Sequence, residues 1–121
     1  KPVHTRPQRV MPVKEDDLAR SVDKLPQYPG GSDAFQEFLN RLGKNGVKDL
    51  DEGQSKAFVM VEYVIDSVGK PVYAKVIRGG NDTMNEKIED AFLAMPQWSP
   101  ATRLGSRVAI RLKQTVMIGA D

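Results

Sequence analysis

The side chains able to carry out chemistry are few in this sequence, and they are scattered. The chain has no cysteine and one histidine, His4, which has no catalytic context around it. Carboxylates cluster at three places: Asp16–Asp17, Asp49–Asp51–Glu52 and Glu89–Asp90. Acid–base catalysis needs carboxylates whose pKa values are shifted by burial or a partner, whereas these fall on predicted loops or an outer helix face. The sequence therefore predicts no catalytic residue, no metal site and no cofactor, and a protein that is not an enzyme.

Glycine-rich turns give no phosphate site either. Gly30–Gly31 and Gly79–Gly80 lack the following Lys-Ser/Thr and the three-glycine spacing that phosphate-binding loops require. Both pairs are therefore interpreted as turns.

Composition limits the class of protein further. The chain has 121 residues, with 18 Lys and Arg against 16 Asp and Glu, a net charge of +2. The length predicts one small domain, and the even charge balance argues against nucleic acid as the partner. No apolar run approaches the about 20 residues of a membrane span, and the lack of cysteine leaves the compartment open. Because the chain starts with Lys1, we expect a mature product or part of a longer protein.

Proline and charge set the N-terminal residues apart, so residues 1–27 are predicted to be a linker or docking tail and residues 28–121 the domain. Within the tail, Arg9–Val13 is a candidate edge strand because it contains Pro12. Asp16–Lys24 could form two helical turns.

The first helix is predicted after the turn at Tyr28–Gly31. Ser32 is suited to the N-cap, and Gly43 to the left-handed end. One apolar stripe at helical spacing joins them, formed by Phe35, Phe38, Leu39 and Leu42.

A hairpin follows, with strands at Ala57–Asp66 and Val72–Arg78. One face of the hairpin is predicted to meet the helices through Val59, Val61, Tyr63, Ile65, Val72, Ala74 and Val76. The opposite face keeps Phe58, Met60, Val64, Tyr73 and Ile77. That second face is apolar enough to predict cover by the tail, a dimer partner or a ligand.

The second helix is predicted from the capping-box spacing of Thr83 and Glu86, and it ends at Pro96. Trp98 is interpreted as a core side chain, with ligand stacking as the alternative. The third strand, Arg107–Ile118, alternates apolar residues with a basic face. That face either meets acidic partner groups or keeps an edge soluble.

The predicted order is helix, strand, strand, helix, strand. It gives an α+β fold, a two-layer sandwich whose three-stranded antiparallel sheet has order 2-1-3 and carries two helices on one face. The N-terminal tail is an optional extra edge strand. The third strand is then an exposed edge.

Several strings together resemble the TonB C-terminal domain family, in its Pro-Gly-Gly version, over about three quarters of the chain. They are Gln27-Tyr28-Pro29-Gly30-Gly31, Tyr63-Val64-Ile65-Asp66, Gly69-Lys70, Val76-Ile77-Arg78-Gly79 and Ala94-Met95-Pro96-Gln97-Trp98-Ser99-Pro100-Ala101. The specific part is the Met95-Pro96-x-Trp98-x-Pro100 string.

This resemblance implies a periplasmic domain whose parent is anchored in the inner membrane and driven by motor proteins there. It also implies binding of the TonB box, a segment of an outer-membrane receptor, by strand addition. The partner-binding residues expected on the free edge are Arg107, Ala109, Arg111, Lys113, Thr115 and Met117. The alternative is a sensory or assembly module of a larger envelope protein. Exposed edges also predict a homodimer of the isolated fragment.

Overall fold

The structure is a computed structural model that describes residues 10–119. Two short turns of 3-10 helix lie at Glu15–Asp17 and Gly46–Asp49. The main elements in chain order are β1 (Leu18–Ala19), α1 (Gly31–Asn45), β2 (Ala57–Ile65), β3 (Pro71–Arg78), α2 (Asp82–Leu93), β4 (Ala101–Arg103) and β5 (Ser106–Ile118).

The described strands form one curled, mixed sheet in the order β1-β5-β2-β3, with β4 pairing the start of β5. β2 lies between β3 and β5 and is antiparallel to both, whereas β1 runs parallel to β5. The α+β prediction is confirmed. A three-stranded, wholly antiparallel sheet is not confirmed, because β1 and β4 enlarge the sheet and β1 makes it mixed.

Both helices pack on one face of this sheet. Alternation along β2 directs its odd-numbered side chains to that face, where they are almost completely buried. The helices contribute Leu39, Met84, Ile88 and Phe92 to the same apolar core. This core also contains Trp98, which is 6% exposed, so the interpretation of Trp98 as a core side chain is confirmed.

The N-terminal strap, as we call Val10–Ala19, packs on the opposite face. Leu18 joins Val64 and Ala109 in a second small cluster, and Met11 and Val13 pack against it. An N-terminal edge strand is therefore present, but it lies at Leu18–Ala19 and not at Arg9–Val13, of which Arg9 is outside the described residues. The predicted helix over Asp16–Lys24 is wrong, because Leu18 is used in a strand contact across the sheet.

Helix α1 differs from its prediction at both ends. It begins at Gly31, with Gly30 as a left-handed N-cap instead of Ser32. It also continues past Gly43 to Asn45. Gly43 therefore lies inside the helix. Glycine is needed at this position because a Cβ there would collide with the carbonyl oxygen of Met117. Close approach of α1 to β5, and not helix termination, explains this glycine.

Helix α2 begins with a side-chain cap, although not with the predicted one. The side chain of Asn81 accepts a hydrogen bond from the amide of Met84 at 2.9 Å. The last helical residue is Leu93, three positions before Pro96, where the helix was predicted to end. The predicted second helix is therefore present with a different N-cap.

Candidate functional site

The outer edge of β5 is the place where strand addition would occur, and this chain already fills its first part. β1 pairs there, with Leu18 opposite Ala109 and Ala19 opposite Ile110. β4 pairs with Ser106–Val108 through a two-residue turn in which Leu104 and Gly105 both have positive φ. This hairpin directs the backbone groups of the even-numbered residues Ser106 and Val108 to β4, so β4 lies on the side of β5 that also carries β2. The expectation of an edge that is free along the whole of Arg107–Ile118 is therefore corrected.

Helix α1 closes the far end of the same edge. The amide of Gly119 donates to the carbonyl oxygen of Gly43 at 3.1 Å. Gly43 also lies directly against the carbonyl of Met117. Backbone of α1 thus occupies the position that a neighbouring strand would take beside the last residues of β5.

Between these two stops lies Arg111–Thr115, which we call the slot. No strand in residues 10–119 pairs with its outer side. Backbone groups of successive strand residues point to alternate sides. Because the carbonyl of Met117 faces α1, the outward groups of the slot belong to the odd-numbered residues, including the amides and carbonyls of Lys113 and Thr115. The slot is therefore a short acceptor edge whose outward backbone groups have no strand partner, although the carbonyl of Thr115 accepts a hydrogen bond from the side-chain amide of Gln114 at 3.0 Å.

Arg111, at one end of the slot, is already engaged inside the chain. Its guanidinium donates to both carboxylate oxygens of Glu15, at 2.8 and 2.5 Å. Its Nε atom lies 3.7 Å from a carboxylate oxygen of Glu62 on β2. The hydrogen bond from Arg111 lowers the pKa of Glu15, and the carboxylate raises the pKa of Arg111 in turn. This pair ties the strap to β5.

Lys113 has a different environment. It is opposite Glu62 in the register of β2 and β5, yet no carboxylate in residues 10–119 comes within ion-pair distance of its ammonium group. Its side chain is exposed. Among the six residues expected to bind a partner, Lys113 is therefore the cation that stands beside the vacant backbone.

The other four expected binding residues are divided between covered and open positions. Arg107 is exposed but lies in the hairpin with β4, and Ala109 is buried beneath the strap. Thr115 is exposed in the slot, and Met117 is exposed beside α1. The structure thus brings three of the six residues into the slot: Arg111, Lys113 and Thr115.

An apolar patch remains on the outer face of the sheet, beyond the strap. Phe58 is 62% exposed and lies opposite Met117 in the register. Ile77, from β3, is also exposed. The strap covers Val64 and packs against Tyr73 at one end of this face, so cover by the tail holds for that end alone.

The opposite rim of the sheet, at β3, is protected. The carboxylate of Glu89 on α2 accepts a hydrogen bond from the backbone amide of Val76 at 2.9 Å. A helix therefore reaches over this strand and occupies an outward amide with a side chain, which is a known way to block edge pairing.

The two motif strings meet each other in space. Gln27 and Ser99 exchange both backbone hydrogen bonds, at 3.0 and 2.8 Å, and the ring of Tyr28 lies edge-on to Trp98 at 5.5 Å. The buried Trp98 N–H has no hydrogen-bond acceptor within residues 10–119. Around this contact lie the motif residues Pro29, Gly30, Gly31, Met95, Pro96 and Pro100, at the junction between α1 and β4. Of the motif residues, Met95 and Trp98 are buried in the main core, and the structural role expected of the others stays a prediction.

Gly69 completes this junction. Its carbonyl accepts from the Trp98 amide at 2.7 Å, and a Cβ there would collide with the Trp98 carbonyl. The left-handed backbone of Gly69, at φ 92°, serves the hairpin turn as well.

Neither catalysis nor metal binding gains support from the side-chain geometry. The described residues contain no group of three His, Cys, Asp or Glu side chains able to hold a metal ion, and His4 lies outside them. Burial raises the pKa of the Tyr63 hydroxyl, which keeps it neutral. A search of residues 10–119 finds no helix long and apolar enough to cross a membrane.

A cleft of about 420 Å³ lies between the end of α1 and α2. Leu42, Met84 and Ile88 contribute to its lining, and its charged groups include Asp49 and Lys87, which bind each other at 3.0 Å. At the edge of this cleft, the charges of Asp49 and Lys87 therefore compensate each other.

Sequence reasoning placed the optional N-terminal edge strand at Arg9–Val13 instead of at β1, and it missed β4 and the two carboxylates that engage Arg111. The signal for β4 was present: Leu104–Gly105 stands between two short polar-apolar runs, and a two-residue turn with glycine is typical of hairpins. No local signal marks the partnership of Glu15 and Arg111, which are far apart in the chain. In comparisons with protein-family models, curated proteins and solved structures, nothing matched the chain.

Proposed function

We propose that this chain is the peptide-binding module of a TonB-type energy transducer. In this proposal it works in the periplasm, with the parent protein anchored in the inner membrane and driven by motor proteins there. It engages the TonB box of an outer-membrane receptor by strand addition and so supports active transport. The motif strings support the family, and the single observation that carries the binding mode is the slot at Arg111–Thr115.

The slot offers enough backbone for weak to moderate affinity. Its free outward groups provide about four hydrogen bonds, each worth roughly 0.5–1.5 kcal/mol net, from which the entropy of ordering the peptide must be subtracted. No catalytic group takes part. Binding of this size is suited to a reversible contact.

In this proposal, force from the parent protein reaches the sheet through the strap, which lies next to the slot. Residues that precede Leu18 connect to the sheet through β1, whose backbone bonds to β5 run alongside those that a guest strand would make. Because β1 and a guest share the same edge, tension along the strands loads both sets of bonds in shear. This geometry supports a role in pulling.

The test is a titration of the isotopically labelled 121-residue chain with a seven-residue TonB-box peptide from an outer-membrane receptor. We expect the largest amide shifts at Lys113 and Thr115. A matched pair of peptides carries N-methyl groups on alternate residues. The one methylated on the amides that face β5 should lose binding, while the other keeps it. Absence of shifts in the slot with receptor peptides, or equal binding by both methylated peptides, would overturn strand addition.

A second candidate is the sensory or assembly module of a larger envelope protein. It is favoured by the extent to which β1 and α1 already cover the outer edge of β5. The gene context separates the two proposals. One anchor helix followed by a proline-rich spacer supports the transducer, and several helices upstream support the second candidate.

A further inference from the structure

We propose that the slot selects a short acidic peptide: an extended segment of about five residues with a carboxylate beside Lys113. This inference rests on the proposed function, since it assumes strand addition and defines which strands are accepted.

The length of the bound peptide is limited by β1 at one end of the slot and by α1 at the other. β1 pairs with Ala109 and Ile110 at one end, and Gly43 of α1 contacts Met117 at the other. The open stretch is therefore about five residues, or roughly 17 Å at 3.3 Å per residue. A longer guest gains no further backbone pairing, because its ends meet the strap and the helix.

The charge of the preferred peptide follows from the ion pairs on the outer face of the sheet, where the carboxylates of Glu15 and Glu62 interact with Arg111. Arg111 donates a bidentate pair of hydrogen bonds to the carboxylate of Glu15 and lies near the carboxylate of Glu62. Lys113 then has no ion-pair partner in residues 10–119, and it projects on the same face as an outward side chain of the guest. Glu15 shows the chemistry that fits, since an acidic side chain already docks onto this face.

A second copy of the chain fits less well. Two slots paired antiparallel around their centres would bring one Lys113 next to the other, and like charges placed directly opposite are destabilising. An acidic peptide relieves the same charge instead of doubling it.

The experiment uses three blocked peptides of alternating threonine and valine that differ only in the central residue: Asp, Asn or Lys. Binding to the full 121-residue chain is measured by amide shifts at low and at high salt. We expect the Asp peptide to bind about threefold more tightly than the Asn peptide, the range of an exposed ion pair, and the Lys peptide to bind weakest. High salt should remove the difference. Extending the Asp peptide from five to nine residues should change affinity less than about twofold.

Lys113→Gln supplies the matched variant and Lys75→Gln its control. Both lysines lie opposite Glu62 in the register, but Lys75 is on β3, away from the slot. Only Lys113→Gln should abolish the preference for the Asp peptide. Equal binding of all three peptides would overturn the charge inference and leave strand addition in place, whereas no binding by any of them overturns both. Broadening of slot amides with protein concentration alone would mean that a second copy fills the slot, and would overturn this proposal too.

Discussion

Replacing Leu18 with alanine should release the strap from the sheet without unfolding the domain. Leu18 is 8% exposed and contacts the small cluster with Val64 and Ala109. Truncating a buried leucine to alanine costs about 2–5 kcal/mol. The main apolar core contains no strap residue, so this loss falls on the strap alone.

The remaining strap contacts are too weak to hold it. β1 pairs over two residues, and the ion pair of Glu15 and Arg111 is exposed to solvent, where such pairs contribute little to stability. Ordering each residue of the strap costs about 1–2 kcal/mol of backbone entropy. Leu18 therefore supplies the part of the binding free energy that keeps the strap docked.

Hydrogen exchange measures this directly. The outward amides of Ala109 and Arg111 face the strap, whereas the amides of Ile110 and Leu112 face β2. A loss of about 2–3 kcal/mol corresponds to roughly 30- to 150-fold faster exchange, and we expect it at Ala109 and Arg111 alone. The global free energy of unfolding should fall by less than about 1 kcal/mol.

Leu25→Ala is the matched control, because Leu25 lies in the same N-terminal region but is 62% exposed. It should leave exchange unchanged. If Leu18→Ala lowers the global free energy of unfolding by its whole cost, and all sheet amides lose protection together, the strap is an integral part of the core and the reasoning is refuted. If the strap is released, the acceptor edge lengthens to Ala109, and a seven-residue peptide should bind better than a five-residue one.

Three further predictions concern other contacts. Arg111 lowers the pKa of Glu15 below its ordinary value of 4.5, so the ion pair stabilises the docked strap above pH 4.5, and this stabilisation is lost as the pH falls through the lowered pKa. The chemical shift of the Arg111 Nε resonance should follow this titration in NMR, and in Glu15→Gln it should not change over the same pH range. Leu104→Asn should raise the free energy of unfolding by about 0.5–1 kcal/mol, because Leu104 is 83% exposed at φ 51°; a decrease in chemical denaturation would contradict this. Gly43→Ala should cost about 1–3 kcal/mol through collision with Met117, although alanine favours helices by about 1 kcal/mol; a stabilised variant would show that α1 and β5 can separate freely.

The parts of the fold that could be predicted are those with a regular apolar period. β2 alternates along its whole length and reappears as Ala57–Ile65, and the stripe Met84, Ile88 and Phe92 is buried as expected of a helix. In both cases one face is buried by neighbours in the same core, so local pattern and tertiary packing agree.

Irregular pairing could not be predicted in the same way. The register of β2 and β3 shifts between Val64 and Ile65: Val64 lies opposite Tyr73 and Ile65 opposite Pro71, so Val72 has no residue opposite it. This shift places Val72 with the strap cluster instead of the helix-facing core to which it was assigned. A bulge of this kind depends on two strands at once, and the alternation of one strand does not reveal it.

The candidate site could be predicted only in part, for a similar reason. Alternation identifies Arg107–Ile118 as a strand with a basic face, and the resemblance assigns its edge to a partner. Which length of that edge is vacant depends on β1 and α1, whose contacts come from residues distant in the chain. The slot is what these two elements leave uncovered.

Comparison of the two rims of the sheet explains why β5 is the better acceptor. At β3, the outward amide of Val76 already donates to Glu89, and a guest would have to displace a charge-assisted hydrogen bond before gaining its own. At β5, no strand of the described chain pairs with the slot, and the one side-chain bond a guest would displace there is neutral, from the amide of Gln114 to the carbonyl of Thr115. Lys75 and Lys113 both lie opposite Glu62, but only Lys113 is adjacent to backbone groups that can bind a guest strand. The positive charge of Lys113 and the backbone groups without a strand partner lie at the same edge of the sheet. Binding of an acidic strand to β5 is therefore favoured over binding of any strand to β3.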